Sequence, residues 1–157
     1  MSFQYLSLME TPLGPLAIMA DERAIQAVQF VDDTTPSSLP ESALTQRARA
    51  QLKEYFTGHR QAFDLPLAPT GTPFRQAAWQ ALCAIPYGET RSYAEQADRM
   101  GNPKAVRAVG AANGANPIAI LIPCHRVIGK NGSLTGYAGG LNRKAWLLAL
   151  EQGQIQP

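Results

Sequence analysis

Apolar positions over the first thirty residues fall in short runs, and beyond residue 40 they change to helical spacing. Residues 3–8, 16–20 and 24–31 are apolar or alternating, as strands require, and are separated by Thr11-Pro12-Leu13-Gly14 and Asp21-Glu22-Arg23. A polar loop with Pro and Ser covers 34–40. Leu44, Ala48, Leu52, Tyr55 and Phe56 then recur at the period of a helix, which Gly58 closes. Pro66, Pro69 and Gly71 punctuate residues 65–71, which read as a linker.

The second half carries sharper start and stop signals. Thr72 followed by Pro73 is an N-cap with proline at the first helical position, opening a helix to about residue 84. Pro86-Tyr87-Gly88 ends it, and Ser92 with Glu95 forms a capping box for a short helix that stops at Gly101. Asn102 and Pro103 are expected to open another helix at once, ending near Asn113-Gly114; two short helices joined so tightly form a helix-turn-helix. An apolar strand is expected over 118–122, running into Pro123. Asn131-Gly132 between 127–129 and 134–137 predicts a hairpin, which after a helix-turn-helix is a wing. A last helix covers about 142–151, with Leu141, Ala145 and Leu148 along one face. The expected fold is α+β: a small α/β domain over 1–68, then a winged helix-turn-helix domain over 69–157. No internal repeat is present.

Charge divides at the same linker. Residues 1–70 hold five Lys and Arg against eight Asp and Glu, a net −3, whereas residues 71–157 hold nine against four, a net +5. The second half therefore either meets a polyanion or carries a solvated basic surface. At 45% hydrophobic and 17% charged residues the composition is globular. No apolar run approaches the ~20 residues of a membrane span, and the start lacks a basic segment followed by an apolar one; no membrane partner and a cytoplasmic location are expected. Two cysteines, Cys83 and Cys124, are too few for a disulfide framework. With only His59 and His125 beside them and no Cys-x-x-Cys, no metal site is expected. Cys83 reads as a core side chain and His59 as a surface one.

The helix expected to begin at Pro103 offers Lys104 and Arg107 among Ala105, Ala108, Gly110, Ala111 and Ala112. A reader of specific sequence needs several long polar side chains at base edges. Small residues instead allow close backbone approach with little sequence content, while one long cation could enter the space left by a base. The same alanines would equally suit packing against a neighbouring helix.

Cys124 follows Pro123 and precedes His125 and Arg126. Proline ends a strand and leaves the next residue at an edge or cleft, and nearby His and Arg favour the thiolate. In an extended segment neighbouring side chains face opposite ways, so His125 would reach Cys124 only through a turn or a bridging water, with a carboxylate orienting the imidazole. Read from spacing alone, Cys124 is either a small core side chain or a nucleophile.

Pro123-Cys124-His125-Arg126-Val127 resembles the active-site motif of the O6-alkylguanine-DNA alkyltransferases, the methylated-DNA–protein-cysteine methyltransferases. Pro86-Tyr87-Gly88, Ser92-Tyr93, Asn102-Pro103-Lys104-Ala105, Arg107-Ala108-Val109-Gly110, Asn116-Pro117, Gly136-Tyr137-Ala138-Gly139-Gly140 and Lys144-Ala145-Trp146-Leu147-Leu148 keep the family's order and spacing up to Glu151. The segment from Thr11 to Leu16 is similar to the shorter, single-function bacterial members.

The resemblance implies a ribonuclease-H-like first domain and an irreversible, single-use transfer of the alkyl group from O6-alkylguanine, and from O4-alkylthymine, to Cys124. It implies that His125 takes the thiol proton through water, that Glu151 holds the imidazole, and that Tyr93 donates toward the base ring nitrogen and crowds a phosphate. Asn116 would be the hinge between the DNA-binding helix and the cysteine segment. Arg107 would fill the gap in the stack, with Asn102, Lys104, Ala105, Gly110 and Lys130 also at the DNA. Val127, Tyr137 and Ala138 would line the base pocket. Some relatives carry serine at the position of Ala138, so one hydrogen bond to the base oxygen would be missing and substituents larger than methyl would fit. The implied partner is double-stranded DNA with the alkylated guanine flipped out, bound with little regard to sequence. The chain would act as a monomer, with cooperative binding along DNA left open, and would need no cofactor.

Other readings remain on the sequence alone: a lesion sensor without transfer, a winged-helix regulator, or a cysteine hydrolase. A sensor usually has tryptophan in place of the cysteine, a regulator needs a reading helix richer in long polar residues, and a hydrolase would turn over repeatedly.

Overall fold

The computed structural model describes residues 3–32 and 38–155, so most of the loop expected over 34–40 lies outside the described residues. The chain forms two compact units that part between Thr70 and Gly71.

In the first unit, β1 (Tyr5–Met9), β2 (Leu16–Ala20) and β3 (Ile25–Phe30) make an antiparallel sheet in the order β1-β2-β3. All five residues of β2 are buried. A central strand covered on both faces needs apolar residues at every position, not at alternate ones. Ala17 and Met19 pack with Ala27 beneath Phe3, Leu6, Leu8 and Val31 on one face. Helix α1 (Ala43–Phe56) packs on β1 and β2. The buried Ser7 hydroxyl donates to Thr45 at 2.8 Å and ties β1 to the helix, whose start is fixed by a Ser42/Thr45 capping box. Residues 66–68 return along β3, with Ile25 N donating to Pro66 O and Ala68 N to Ile25 O, both at 2.8 Å.

In the second unit, α2 (Pro73–Cys83) starts at the Thr72 cap with Pro73 in its first turn. A Cβ at Gly71 would lie 2.5 Å from the Trp79 ring, so only glycine lets the chain enter this helix over the indole. A two-residue strand β4 (Arg91–Ser92) leads into α3 (Tyr93–Arg99), where both halves of the Ser92/Glu95 capping box form. Gly101, at φ 76°, turns the chain toward α4 (Val106–Gly114). Two buried polar links hold these helices in register. Trp79 Nε1 donates to Ala112 O at 2.8 Å. The amides of Gln96 and Asn113 bond reciprocally at 3.0 and 2.7 Å, and Gln96 also donates to Ala78 O. The chain then passes through a 3-10 turn (Cys124–Arg126) and strand β5 (Val127–Ile128) to α5 (Leu141–Glu151).

Four expectations are corrected. Helix α4 begins at Val106, not at Pro103: Ala105 N donates to Asn102 O and closes a separate turn, leaving a cap residue without a capping side chain. Residues 118–122 are no strand. Pro117 and Pro123 bracket them, Asn116 Oδ1 accepts from Ile118 N at 3.0 Å, and Asn116 Nδ2 donates to Ile122 O at 2.8 Å. This folds the segment into a loop whose apolar residues mark burial, with Ile120 held at φ 72°, a region that β-branched residues rarely enter. The Asn131-Gly132 turn forms, but 134–137 is no strand; β5 pairs instead in parallel with β4, Arg91 opposite Val127. Finally, α5 buries Lys144, Leu147, Leu148 and Glu151, whereas Leu141 and Ala145 are exposed. The inward stripe has polar residues at both ends, which an apolar-only pattern misplaces.

Replacing Gln96 by Leu strands the Asn113 amide between α3 and α4 without a partner. Urea unfolding should show a loss of about 1–3 kcal/mol, the cost of a buried unsatisfied polar group; an unchanged midpoint and slope would remove this pair from the account.

Candidate active site

Cys124 opens the 3-10 turn directly after Pro123, and its thiol is half-buried. The segment is therefore not extended at the cysteine, and successive side chains fan around a tight turn instead of alternating. Asn116, two residues beyond the end of α4, places Nδ2 3.3 Å from Cys124 Sγ while holding Ile122 O. Burial pushes the Cys124 thiol above its ordinary pKa, and the Asn116 amide and the Lys144 charge pull it back only in part.

Behind the thiol lies a closed cluster. His125 is fully buried, and its Nε2 lies 2.6 Å from Glu151 Oε2. Arg126 grips the same carboxylate with two bonds, Nε to Oε1 at 2.7 Å and Nη2 to Oε2 at 3.1 Å, and gives Nη1 to Ile85 O at 2.7 Å. Burial favours the neutral form of Glu151, but the His125 and Arg126 hydrogen bonds outweigh it and hold the carboxyl at about 2. Burial depresses the His125 pKa, against the opposite pull of Glu151. A neutral imidazole facing an ionised carboxylate must carry its proton on Nε2. Nδ1 is then a bare acceptor, and it is buried with no protein partner.

The Tyr93 hydroxyl, at the start of α3, donates to Thr135 O at 3.0 Å. Tyr137 stands close enough for the Cys124 charge to act on it; its hydroxyl is buried and unpartnered, and burial pushes its pKa up. Val127 is buried beneath the turn, and Ala138 is exposed. Asn102, Lys104 and Arg107 are exposed around the start of α4, as is Lys130 in the loop after β5. Ala105 and Gly110 are half-exposed; a Cβ on Gly110 would lie 3.9 Å from the Tyr93 ring. Among the described residues no salt bridge involves Lys104, Arg107 or Lys130. Cys83, expected in the core, is exposed near the end of α2, because the buried face of that helix is Ala78, Trp79 and Leu82. His59 is exposed, as expected.

Two family models match the chain. The 6-O-methylguanine DNA methyltransferase ribonuclease-like domain matches residues 4–69, and the DNA binding domain of the same family matches residues 73–153. The chain belongs to the 6-O-methylguanine DNA methyltransferase family. It is similar to the methylated-DNA–protein-cysteine methyltransferases of Methanosarcina acetivorans (49% identical, 94% of this chain and 97% of that one) and Mycobacterium leprae (50%, 94% and 92%). Its structure is similar to that of Mycobacterium tuberculosis OGT in complex with DNA, with a TM-score of 0.88 at 46% identity, over 96% of this chain and 94% of the other.

Within this methyltransferase fold, sequence reasoning gave no task to Lys144 or Thr135, and it set Arg126 to favour the thiolate, whereas its guanidinium is spent on Glu151 and Ile85 O. Arg126 was visible inside the Pro-Cys-His-Arg run. Lys144 and Glu151 stand seven residues apart, two helical turns, which already puts them on one face. Thr135 lies in the loop after β5 and left no pattern to read.

Arg126 is the counter-charge of a carboxylate whose side chain is 1% exposed. Arg126→Met should therefore destabilise the protein by about 3–5 kcal/mol, as expected when one partner of a buried ion pair is removed. Chemical denaturation checks this, and a loss below about 1 kcal/mol would mean that Glu151 finds another partner.

Proposed function

We propose that this protein repairs DNA by direct reversal, moving the alkyl group of O6-alkylguanine onto its own Cys124. The observation that carries the reading is the junction at the thiol. Cys124 touches Asn116 at the end of one helix of a DNA-binding domain, and is followed by a His125 held on a buried carboxylate. His125 is the base: its Nδ1 takes the thiol proton by way of water, and Glu151 stabilises the imidazolium that forms. The sulfur attacks the alkyl carbon, the carbon–sulfur bond forms and the carbon–O6 bond breaks, and the electron pair stays on guanine, which takes up a proton. No electrons are exchanged with an outside donor. A thioether is not readily hydrolysed, so each molecule acts once. The same attack extends to O4-alkylthymine, whose alkyl carbon is likewise bound to an exocyclic oxygen of the base.

The base must leave the helix to reach a half-buried sulfur, which costs a few kcal/mol, less at a damaged pair. Arg107 fills the place vacated, while Asn102, Lys104, Ala105, Gly110 and Lys130 meet the backbone. The uncapped start of α4 supports this, since its free N–H groups suit a phosphate. Tyr93 donates to the base, Asn116 couples α4 to the thiol, and Val127, Tyr137 and Ala138 form the pocket. The roomier pocket at Ala138 admits groups larger than methyl. The domain boundary of the working unit is set near residues 68–70. Both cysteines are free, as a reducing cytoplasm would keep them.

Mixing the protein with a duplex containing O6-methylguanine should add one methyl group per molecule, located on Cys124 by peptide mapping, in a burst that stops at one equivalent. Cys124→Ala should still bind the lesion and show no transfer. A bare Cys124, or continued turnover, would overturn the reading.

Arg107→Ala should slow repair of duplex at least tenfold while leaving reaction with free O6-benzylguanine near the wild-type rate, because only the duplex reaction needs flipping. Equal rates on both substrates, relative to wild type, would remove Arg107 from that task.

A further inference from the structure

Tyr93 is unusual in how closely three other elements gather around it. Its ring faces α4 at Gly110, where a Cβ would lie in ordinary contact at 3.9 Å. The Lys144 ammonium sits 5.8 Å from the ring centroid. A Cβ at Gly136, which is at φ 59°, would lie 3.4 Å from the hydroxyl. The hydroxyl itself meets a single residue twice: it donates to Thr135 O at 3.0 Å and accepts from Thr135 Oγ1 at 3.3 Å. The same Thr135 carbonyl accepts from Lys144 Nζ at 2.7 Å.

We propose that Thr135 is a positioning residue for Tyr93: its hydroxyl directs the tyrosine proton, and its carbonyl parks that proton until a flipped base arrives. This rests on the reading of Tyr93 as donor to the base. A phenol oxygen that accepts a bond from Thr135 Oγ1 has its own O–H direction restricted and polarised, which makes it the stronger donor. The 3.3 Å separation is long for two hydroxyls, as befits a bond that tightens in the reactive complex.

Release is cheap because of Lys144. A carbonyl has two lone pairs, and Thr135 O uses them for Tyr93 and Lys144. When the tyrosine proton turns to the base, the lysine bond remains and no buried acceptor is orphaned. Lys144 is fully buried, and its bond to the carbonyl is short at 2.7 Å. Thr135 itself is exposed, so altering its side chain leaves the core alone.

The test is a double-mutant cycle read as the single-turnover rate at saturating O6-methylguanine duplex, with duplex affinity measured alongside. Thr135→Val keeps the carbonyl and the shape but loses the hydroxyl. It should slow transfer about threefold to tenfold, the range of one hydrogen bond, with affinity unchanged, and Thr135→Ser should restore the rate. In a Tyr93→Phe background the valine should cost nothing more. A wild-type rate for Thr135→Val beside a slow Tyr93→Phe would overturn the proposal alone. So would an equal valine penalty in both backgrounds. A wild-type rate for Tyr93→Phe would overturn the reading of Tyr93, and this proposal with it.

Discussion

A single buried carboxylate organises the second unit. Taking an ionised Glu151 out of water costs several kcal/mol, so the fold must return that energy through partners of good geometry. It does so with a two-bond Arg126 fork at 2.7 and 3.1 Å and a His125 bond at 2.6 Å. The two partners are not equivalent. Arg126 is always charged and neutralises the carboxylate. His125 is therefore free to stay neutral, which burial also favours. Were Glu151 alone with His125, the pair would draw a proton onto the imidazole and spoil it as a base. The arginine keeps the histidine able to accept a proton, and the carboxylate welcomes the proton once it comes.

This arrangement matches the state of the thiol. Burial raises the Cys124 pKa, so at rest the sulfur is protonated and unreactive, with Asn116 and Lys144 opposing that only in part. A protein that is consumed by its own reaction is better served by a guarded thiol than by a standing thiolate, which would be exposed to stray electrophiles and oxidation. In the proposed reaction the group that takes the proton, His125, is already oriented by Glu151.

Much of this was legible in the sequence where the signal was local. The Thr72-Pro73 start, the Ser92/Glu95 capping box and the stop at Gly101 are properties of a few adjacent residues, and each forms. The motif from Pro123 to Val127 located the thiol and its histidine for the same reason. What could not be read depends on distant partners. The loop over 118–122 is apolar like a strand, yet Asn116, outside the run, takes the backbone groups that a ladder would need. The inward face of α5 looks polar at Lys144 and Glu151 until Thr135, Arg126 and His125 are set against it. Thr135 meets Tyr93, forty-two residues earlier in the chain, and no periodicity carries that distance.

The path from DNA surface to sulfur is short and made of stiff parts. Arg107 stands in the first turn of α4, and Asn113 near its other end is locked to Gln96 on α3. Asn116 follows immediately and holds both the Ile122 carbonyl and the thiol. Only Ala115 separates the end of α4 from the residue that touches the sulfur. The same helix faces Tyr93 at Gly110, where a Cβ would make an ordinary contact with the ring at 3.9 Å. Helix α4 and the thiol are thus joined through Asn116 by hydrogen bonds of 2.8 and 3.3 Å. Preorganisation of this kind lowers the barrier without any energy being spent on rearrangement at the moment of transfer.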